Sequence, residues 1–271
     1  MKKINNKPIG VLDSGVGGLT VVKEIFRQLP QEEIVYFGDT ARCPYGPRPT
    51  EEVRNFTFEI VDFLLQHNVK MIVIACNTAT AAALEAVKHL ISLPVIGVIQ
   101  PGSIAAIKNT KTGKIGVIGT EGTIASKAYD LSLKRINPLL TITSLACPTL
   151  VPLVENGQQS PEVIRSVVKD ALEPIQNEEM DALIMGCTHY PIISEYIQEV
   201  IGENVKLLSS AEETAREVSA ILHFQNIMSN YANTPVHRFF TTSDDLNFKR
   251  IGEQWLGRSI NVEHIELVKS R

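Results

Sequence analysis

A chain of 271 residues with 44% hydrophobic content is long enough to bury a sizeable core, as one large domain or two modest ones. Its net charge is −4, with 26 basic residues scattered among 30 acidic ones rather than gathered into a stripe, which speaks against a nucleic-acid partner. No apolar run approaches the ~18 residues of a membrane span, and the polar Asn5, Asn6 and Lys7 after Lys2 and Lys3 leave no signal-peptide core. The expectation is a soluble cytoplasmic protein without a membrane partner, whose four cysteines, Cys43, Cys76, Cys147 and Cys187, stay reduced.

Taken in order, Pro8 to Leu12 reads as a strand that runs into Asp13-Ser14-Gly15-Val16-Gly17-Gly18, followed by a helix from Leu19 to Leu29. A dinucleotide fingerprint would need glycine where Thr20 stands, so the turn is read only as a set of backbone N–H groups at a helix N-terminus, suited to a carboxylate or phosphate. A second strand, Ile34 to Phe37, opens into Asp39-Thr40-Ala41-Arg42-Cys43-Pro44-Tyr45-Gly46, a loop stiffened by Pro44, Pro47 and Pro49. Thr50, Glu51 and Glu52 start a helix reaching about Asn68, with acids in its first turn. The run from Val69 to Ala75 is apolar at nearly every position and closes on Cys76-Asn77-Thr78, as a strand buried on both faces would. An alanine-rich helix to about Ile91 and a strand from Val95 to Ile99 come next, ending at Gln100-Pro101.

The plan then repeats. Strands are expected near Lys114 to Ile118, Leu140 to Leu145, Asp181 to Met185 and Val205 to Leu208. The third of these ends in Gly186-Cys187-Thr188-His189 and so answers the run ending in Cys76. Loops carry Gly119-Thr120, Thr123, Cys147-Pro148 and Val154-Glu155-Asn156-Gly157. From Ala211 the chain has no counterpart in the repeat. A helix to about Met228, a strand near His237 to Phe240, a helix around Leu246 to Trp255 and a strand near Val262 to Leu267 are expected to return and complete the first half. The fold class is therefore α/β, with two similar open-sheet halves. The expected boundaries are 1–98 plus 212–271 for the domain with Cys76, and 99–211 for the domain with Cys187.

Ligands bind at the carboxyl ends of strands in open α/β sheets, which is where both thiols fall. For Cys43 and Cys147 the expected role is that of a small buried hydrophobe. Cys76 and Cys187 differ, because each is followed by two polar residues, Asn77 and Thr78 or Thr188 and His189. Zinc would need more ligands than Cys187 and His189 offer. Two thiols across one ligand suit removal of a proton from one face of a carbon and its return to the other, one as thiolate base and the other as thiol acid. A two-domain protein that closes on a dicarboxylate without chemistry, or a thiol hydrolase using Cys187 and His189, would share some of these features.

Four motifs, Asp13-Ser14-Gly-Val-Gly-Gly, Asp39-Thr-Ala-Arg-Cys-Pro-Tyr45-Gly46, Ala75-Cys76-Asn77-Thr78-Ala-Thr and Gly186-Cys187-Thr188-His189-Tyr-Pro, closely resemble those of the cofactor-independent aspartate/glutamate racemase family, its bacterial glutamate racemases in particular. The resemblance spans nearly the whole chain and implies two similar α/β domains related by a pseudo-twofold axis, with the active site between them. It implies interconversion of L- and D-glutamate with no cofactor and no metal, supplying D-glutamate for peptidoglycan synthesis. It also implies that Cys76 exchanges a proton with D-glutamate and Cys187 with L-glutamate, with Asp13 assisting Cys76, and His189 with Glu155 assisting Cys187. Asp13, Ser14, Tyr45, Gly46, Asn77, Thr78, Thr188 and His189 would hold the amino acid. Relatives are often dimers, so a homodimer is expected, and a chain opening this close to its first strand is expected to lack the N-terminal extension some relatives carry.

Overall fold

A computed structural model of the chain describes residues 6–157, 159–230 and 234–267. The ends of the expected first domain, 1–5 and 268–271, and its internal residues 231–233 lie outside the described residues.

The first sheet begins with β1 (Ile9–Asp13), β2 (Ile34–Gly38), β3 (Met71–Ile74) and β4 (Val95–Gly97). Every residue of these strands is buried, which is why their sequences are apolar without alternation. Between them run α1 (Leu19–Gln28), α2 (Thr50–Gln66) and α3 (Asn77–Leu90). The helix α1 turns Leu19, Val21, Val22 and Ile25 onto the sheet, the spacing of a single helical stripe.

After β4 the chain enters α4 (Ile99–Asn109). The strand expected to reach Ile99 stops at Gly97, and Pro101 lies inside the helix rather than ending a strand. Proline is tolerated there because the first-turn N–H groups have no helical acceptor.

The second sheet is built from β5 (Lys114–Gly119), β6 (Thr141–Ala146), β7 (Ala182–Gly186) and β8 (Lys206–Leu208). Its helices are α5 (Glu121–Ala125), α6 (Ala128–Ile136), α7 (Leu150–Asn156), α8 (Pro161–Leu172) and α9 (Ser194–Ile201). The residues Val154 to Asn156, expected in a loop, form the last turn of α7, which Gly157 closes in the left-handed conformation at φ 60°.

Strand order is β2-β1-β3-β4 in the core of the first sheet and β6-β5-β7-β8 in the second, all parallel, so the two halves are wired alike. The tail supplies α10 (Ala211–Phe224), β9 (Arg238–Thr241), α11 (Asp245–Leu256) and β10 (Val262–His264). Here β9 pairs with β2, and β10 with β9, extending the first sheet to six strands. Ala215, Val218 and Leu222 of α10 join the apolar core that α1 lays against that sheet. No helix among the described residues is long and apolar enough to cross a membrane.

Candidate active site

The site is made of the loops and helix starts beyond the carboxyl ends of β1, β2 and β3 in the first sheet and of β5 and β7 in the second. Cys76 comes after β3 and caps α3, its sulfur accepting the Ala79 N–H at 3.4 Å and lying 3.7 Å from the Ser14 hydroxyl. Cys187 comes after β7, 3.7 Å from Nδ1 of His189. Both thiols line one cavity with Ser14, Tyr45, Gly46, Asn77, Thr78, Thr188 and His189, all predicted from sequence. This cavity measures about 10 Å³, room for about one water molecule. A wider cleft of about 900 Å³, lined by Thr20, Lys23, Pro191, Lys206 and Trp255, contains neither thiol.

Two further predicted residues stand behind the cavity wall. Asp13, fully buried at the end of β1, accepts from the Gly15 N–H at 2.9 Å and from the Thr188 hydroxyl at 3.2 Å. Burial drives its carboxyl above the usual range, against the pull of the His189 charge and of its own hydrogen bonds. Glu155 takes Nε2 of His189 at 2.5 Å. Burial alone would push its carboxyl up, but the bond and charge of His189, with a smaller part from Cys43, hold it below the usual range. On His189 burial acts to lower the pKa and is outweighed by the Cys187 sulfur and the Glu155 carboxylate, so the imidazole is held well above its ordinary value. On Cys76, burial and then the Asp13 charge push the thiol up to about 12, the Ala79 N–H and Ser14 acting in the opposite sense.

The loop glycines allow this closeness. A Cβ on Gly17 would lie 2.6 Å from Nδ1 of His189, and one on Gly18 would lie 2.6 Å from the Asp13 Cβ. Tyr45 is buried and donates to the Asp39 carboxylate, so it presents the cavity with a fixed ring rather than a free hydroxyl. The Gly46 carbonyl accepts the Gly122 N–H at 2.9 Å, and Thr78 shares hydroxyl contacts with Thr120 at 2.8 Å and Thr123 at 3.2 Å.

Three partners carry no mark in the sequence. Tyr129 donates to Oδ1 of Asn77 at 2.7 Å, leaving Nδ2 of Asn77 as a buried donor with no hydrogen bond. Tyr36 donates to the Gly15 carbonyl at 2.7 Å and so holds the glycine loop. Cys43, expected to be a plain buried hydrophobe, is only half-buried and puts its sulfur 3.7 Å from Oε1 of Glu155. Cys147 does behave as expected, buried among apolar side chains with its sulfur near the carbonyls of Leu145 and Ala171.

Two thiols meet on one cavity from equivalent strand ends of two like-wired sheets, and comparison with known proteins gives the class to which the chain belongs. Residues 9–218 match the model of the Asp/Glu/Hydantoin racemase family. A glutamate racemase of Oceanobacillus iheyensis is 57% identical over 240 residues, 88% of each chain. The crystal structure of the glutamate racemase isoform RacE1 of Bacillus anthracis superposes with a TM-score of 0.94 at 53% identity, covering 97% of this chain and 98% of that one. That of a Francisella tularensis glutamate racemase in complex with D-glutamate gives 0.89 at 38% identity over the same shares. The chain belongs to the Asp/Glu/Hydantoin racemase family and is an amino-acid racemase.

Proposed function

We propose that this racemase interconverts L- and D-glutamate without a cofactor, by a two-base transfer in which Cys76 exchanges the α-proton with D-glutamate and Cys187 with L-glutamate. The observation that carries the reading is the pair of thiols on one cavity, each with a different ionic neighbour. A two-base inversion needs one sulfur as thiolate and the other as thiol at the start of each turn. Burial with the Asp13 charge favours the thiol form at Cys76, and Cys187 lies 3.7 Å from Nδ1 of an imidazole held above its ordinary pKa. For the reverse direction the proton has moved across, and the same groups serve in exchanged roles.

The α-proton of an amino acid is a weak acid, so the carbanion also needs donors in a dry site. Ser14, Asn77 and Thr78 supply them, while Thr188 keeps its hydroxyl on Asp13 and lines the cavity; Nδ2 of Asn77, without a hydrogen bond among the described residues, is a donor for a ligand oxygen. Tyr45 and Gly46 shape the wall, while Asp13 tunes Cys76, and Glu155 tunes Cys187 through His189. A cavity of about 10 Å³ cannot receive glutamate, so the halves must part to admit it and close for chemistry. Residues 1–98 with 212–271 and residues 99–211 are the units proposed to move. Glutamate as substrate rests on the relatives, and D-glutamate for peptidoglycan synthesis in the cytoplasm, from a homodimer, completes the proposal.

The test is L-glutamate in D2O with chelator present and no pyridoxal phosphate, the α-proton followed by NMR and optical sign by circular dichroism. The expected result is that both signals fall together and that deuterium enters the D-product before it enters remaining L-substrate. Deuterium appearing first in recovered L-glutamate would point to a single base, and no exchange at all would remove the function.

A further inference from the structure

We infer that Cys43 is a positioning residue, whose S–H, reaching across from the first half of the molecule, holds the Glu155 carboxylate against His189 and so fixes the imidazole beside Cys187. This rests on the racemase mechanism proposed above.

The need for such a donor arises from where Glu155 sits. It lies in the last turn of α7, just before the end that Gly157 closes. Helix carbonyls gather negative charge at that end, so a carboxylate there is opposed by its own helix. It is also largely shielded from water, which removes the usual compensation. A carboxylate so placed needs donors from elsewhere, and the donors it has come from other segments. Nε2 of His189 approaches Oε1 at 2.5 Å from the turn after β7. The Cys43 sulfur approaches the same Oε1 at 3.7 Å from the stiff loop after β2, and the Val16 backbone N–H, in the loop after β1, acts in the same sense to lower the carboxyl's pKa. Both the thiol and this N–H belong to the first half.

Cys43 suits the task because it does not ionise. Burial, and then the negative charges of Glu155 and Asp13, push its thiol far above the ordinary range, so it remains a donor at any working pH. The other groups facing Glu155 are accounted for. Tyr36 feels the Glu155 charge but spends its hydroxyl on the Gly15 carbonyl. From α11, Arg250 reaches the neighbourhood of Gly157 and is tied to Asn247 at 2.8 Å. The chain of contacts therefore runs Cys43, Glu155, His189, Cys187, with a non-ionising thiol at one end and a reacting thiol at the other. Because the contact joins the two halves, it also makes the support of Cys187 depend on their being closed.

Glutamate racemisation by the wild type, Cys43→Val and Cys43→Ser, each measured across pH, tests this. Valine keeps bulk without a donor, and serine restores an O–H. Cys43→Val is expected to lower kcat by about fivefold, the worth of one net hydrogen bond. It is also expected to move the acid limb of the kcat/KM profile to higher pH, because Glu155 loses a group that lowers its pKa. Cys43→Ser is expected to track the wild type, and carbon-13 NMR of the Glu155 carboxyl is expected to show the same order of titration. Should valine prevent folding, Cys43→Ala removes the donor without adding bulk. An acid limb and a Glu155 titration that stay put in the variant without a donor, or a serine variant that behaves like it, would overturn the inference. A wild type that does not racemise glutamate would instead overturn the proposed function, so the two failures are distinct.

Discussion

Cys76 and Cys187 end the third strand of two arrays wired in the same order, β2-β1-β3-β4 and β6-β5-β7-β8, yet their surroundings differ in sign. Around Cys76 there is a helix N-terminus and a buried acid, Asp13. Around Cys187 there is an imidazole that Glu155 keeps cationic. Duplicated backbone thus carries unlike electrostatics, and the two-base inversion proposed above uses sulfurs that begin each turn with unlike proton occupancy. The difference also comes from different distances in the chain. Asp13 belongs to the strand beside Cys76, while Glu155 is brought in by a helix after β6 and reaches Cys187 only through His189.

The largest expected effect tests the shared part of the comparison. If both sulfurs exchange protons with the substrate, Cys76→Ser and Cys187→Ser each lower kcat by about a thousandfold, within the range of lost acid–base catalysis, measured by circular dichroism in both directions. A variant keeping a tenth of wild-type activity would show that its sulfur is not a reacting group, and the two limbs would no longer be equivalents.

A smaller effect tests the unlike part. Removing the charge of Asp13 in Asp13→Asn takes away the second-largest cause holding the Cys76 thiol up at about 12. The sign is downward: Cys76 ionises at lower pH, and alkylation of that residue, monitored by mass spectrometry, begins at lower pH than in the wild type. Activity falls by about a hundredfold as Cys76 loses the carboxylate that assists its proton transfer. Unchanged alkylation at Cys76 would mean that Asp13 acts only through its bond to Thr188, as a brace between the halves.

Much of this arrangement is legible in the chain because it is local. Strands buried on both faces must be apolar at every position, so their ends, and the thiols at those ends, stand out. Asp13, Ser14, Asn77, Thr188 and His189 lie next to such ends. Less is legible where a local signal is overridden or absent. Pro101 reads as a stop, although the first turn of α4 accommodates it. Glu155 reads as a loop residue, although Gly157 two residues on is the usual closing residue of a helix. Cys43 and Tyr129 give no local sign, because their partners lie 112 and 52 residues away and meet them only when the halves pack.

The smallest expected effect concerns that packing, where the two limbs are again alike. The residue after each thiol is tied across to the other half: Asn77 receives the Tyr129 hydroxyl at 2.7 Å, and Thr188 donates to Asp13 at 3.2 Å. In Tyr129→Phe the Asn77 amide loses the bond that fixes its orientation, so Nδ2 no longer waits in place for a ligand oxygen. The Tyr129 hydroxyl spends its bond on Asn77 and not on either sulfur, so the chemistry itself is undisturbed. The expected result is a rise in KM of about fivefold, equivalent to roughly 1 kcal/mol, with kcat and the pH profile close to wild type. A fall in kcat with KM unchanged would instead mean that Asn77 bonds the substrate more strongly in the transition state than in the ground state. That outcome would move Asn77 from holding glutamate to stabilising its carbanion, making the Cys76 limb the one that carries both the acid and the carbanion's donor.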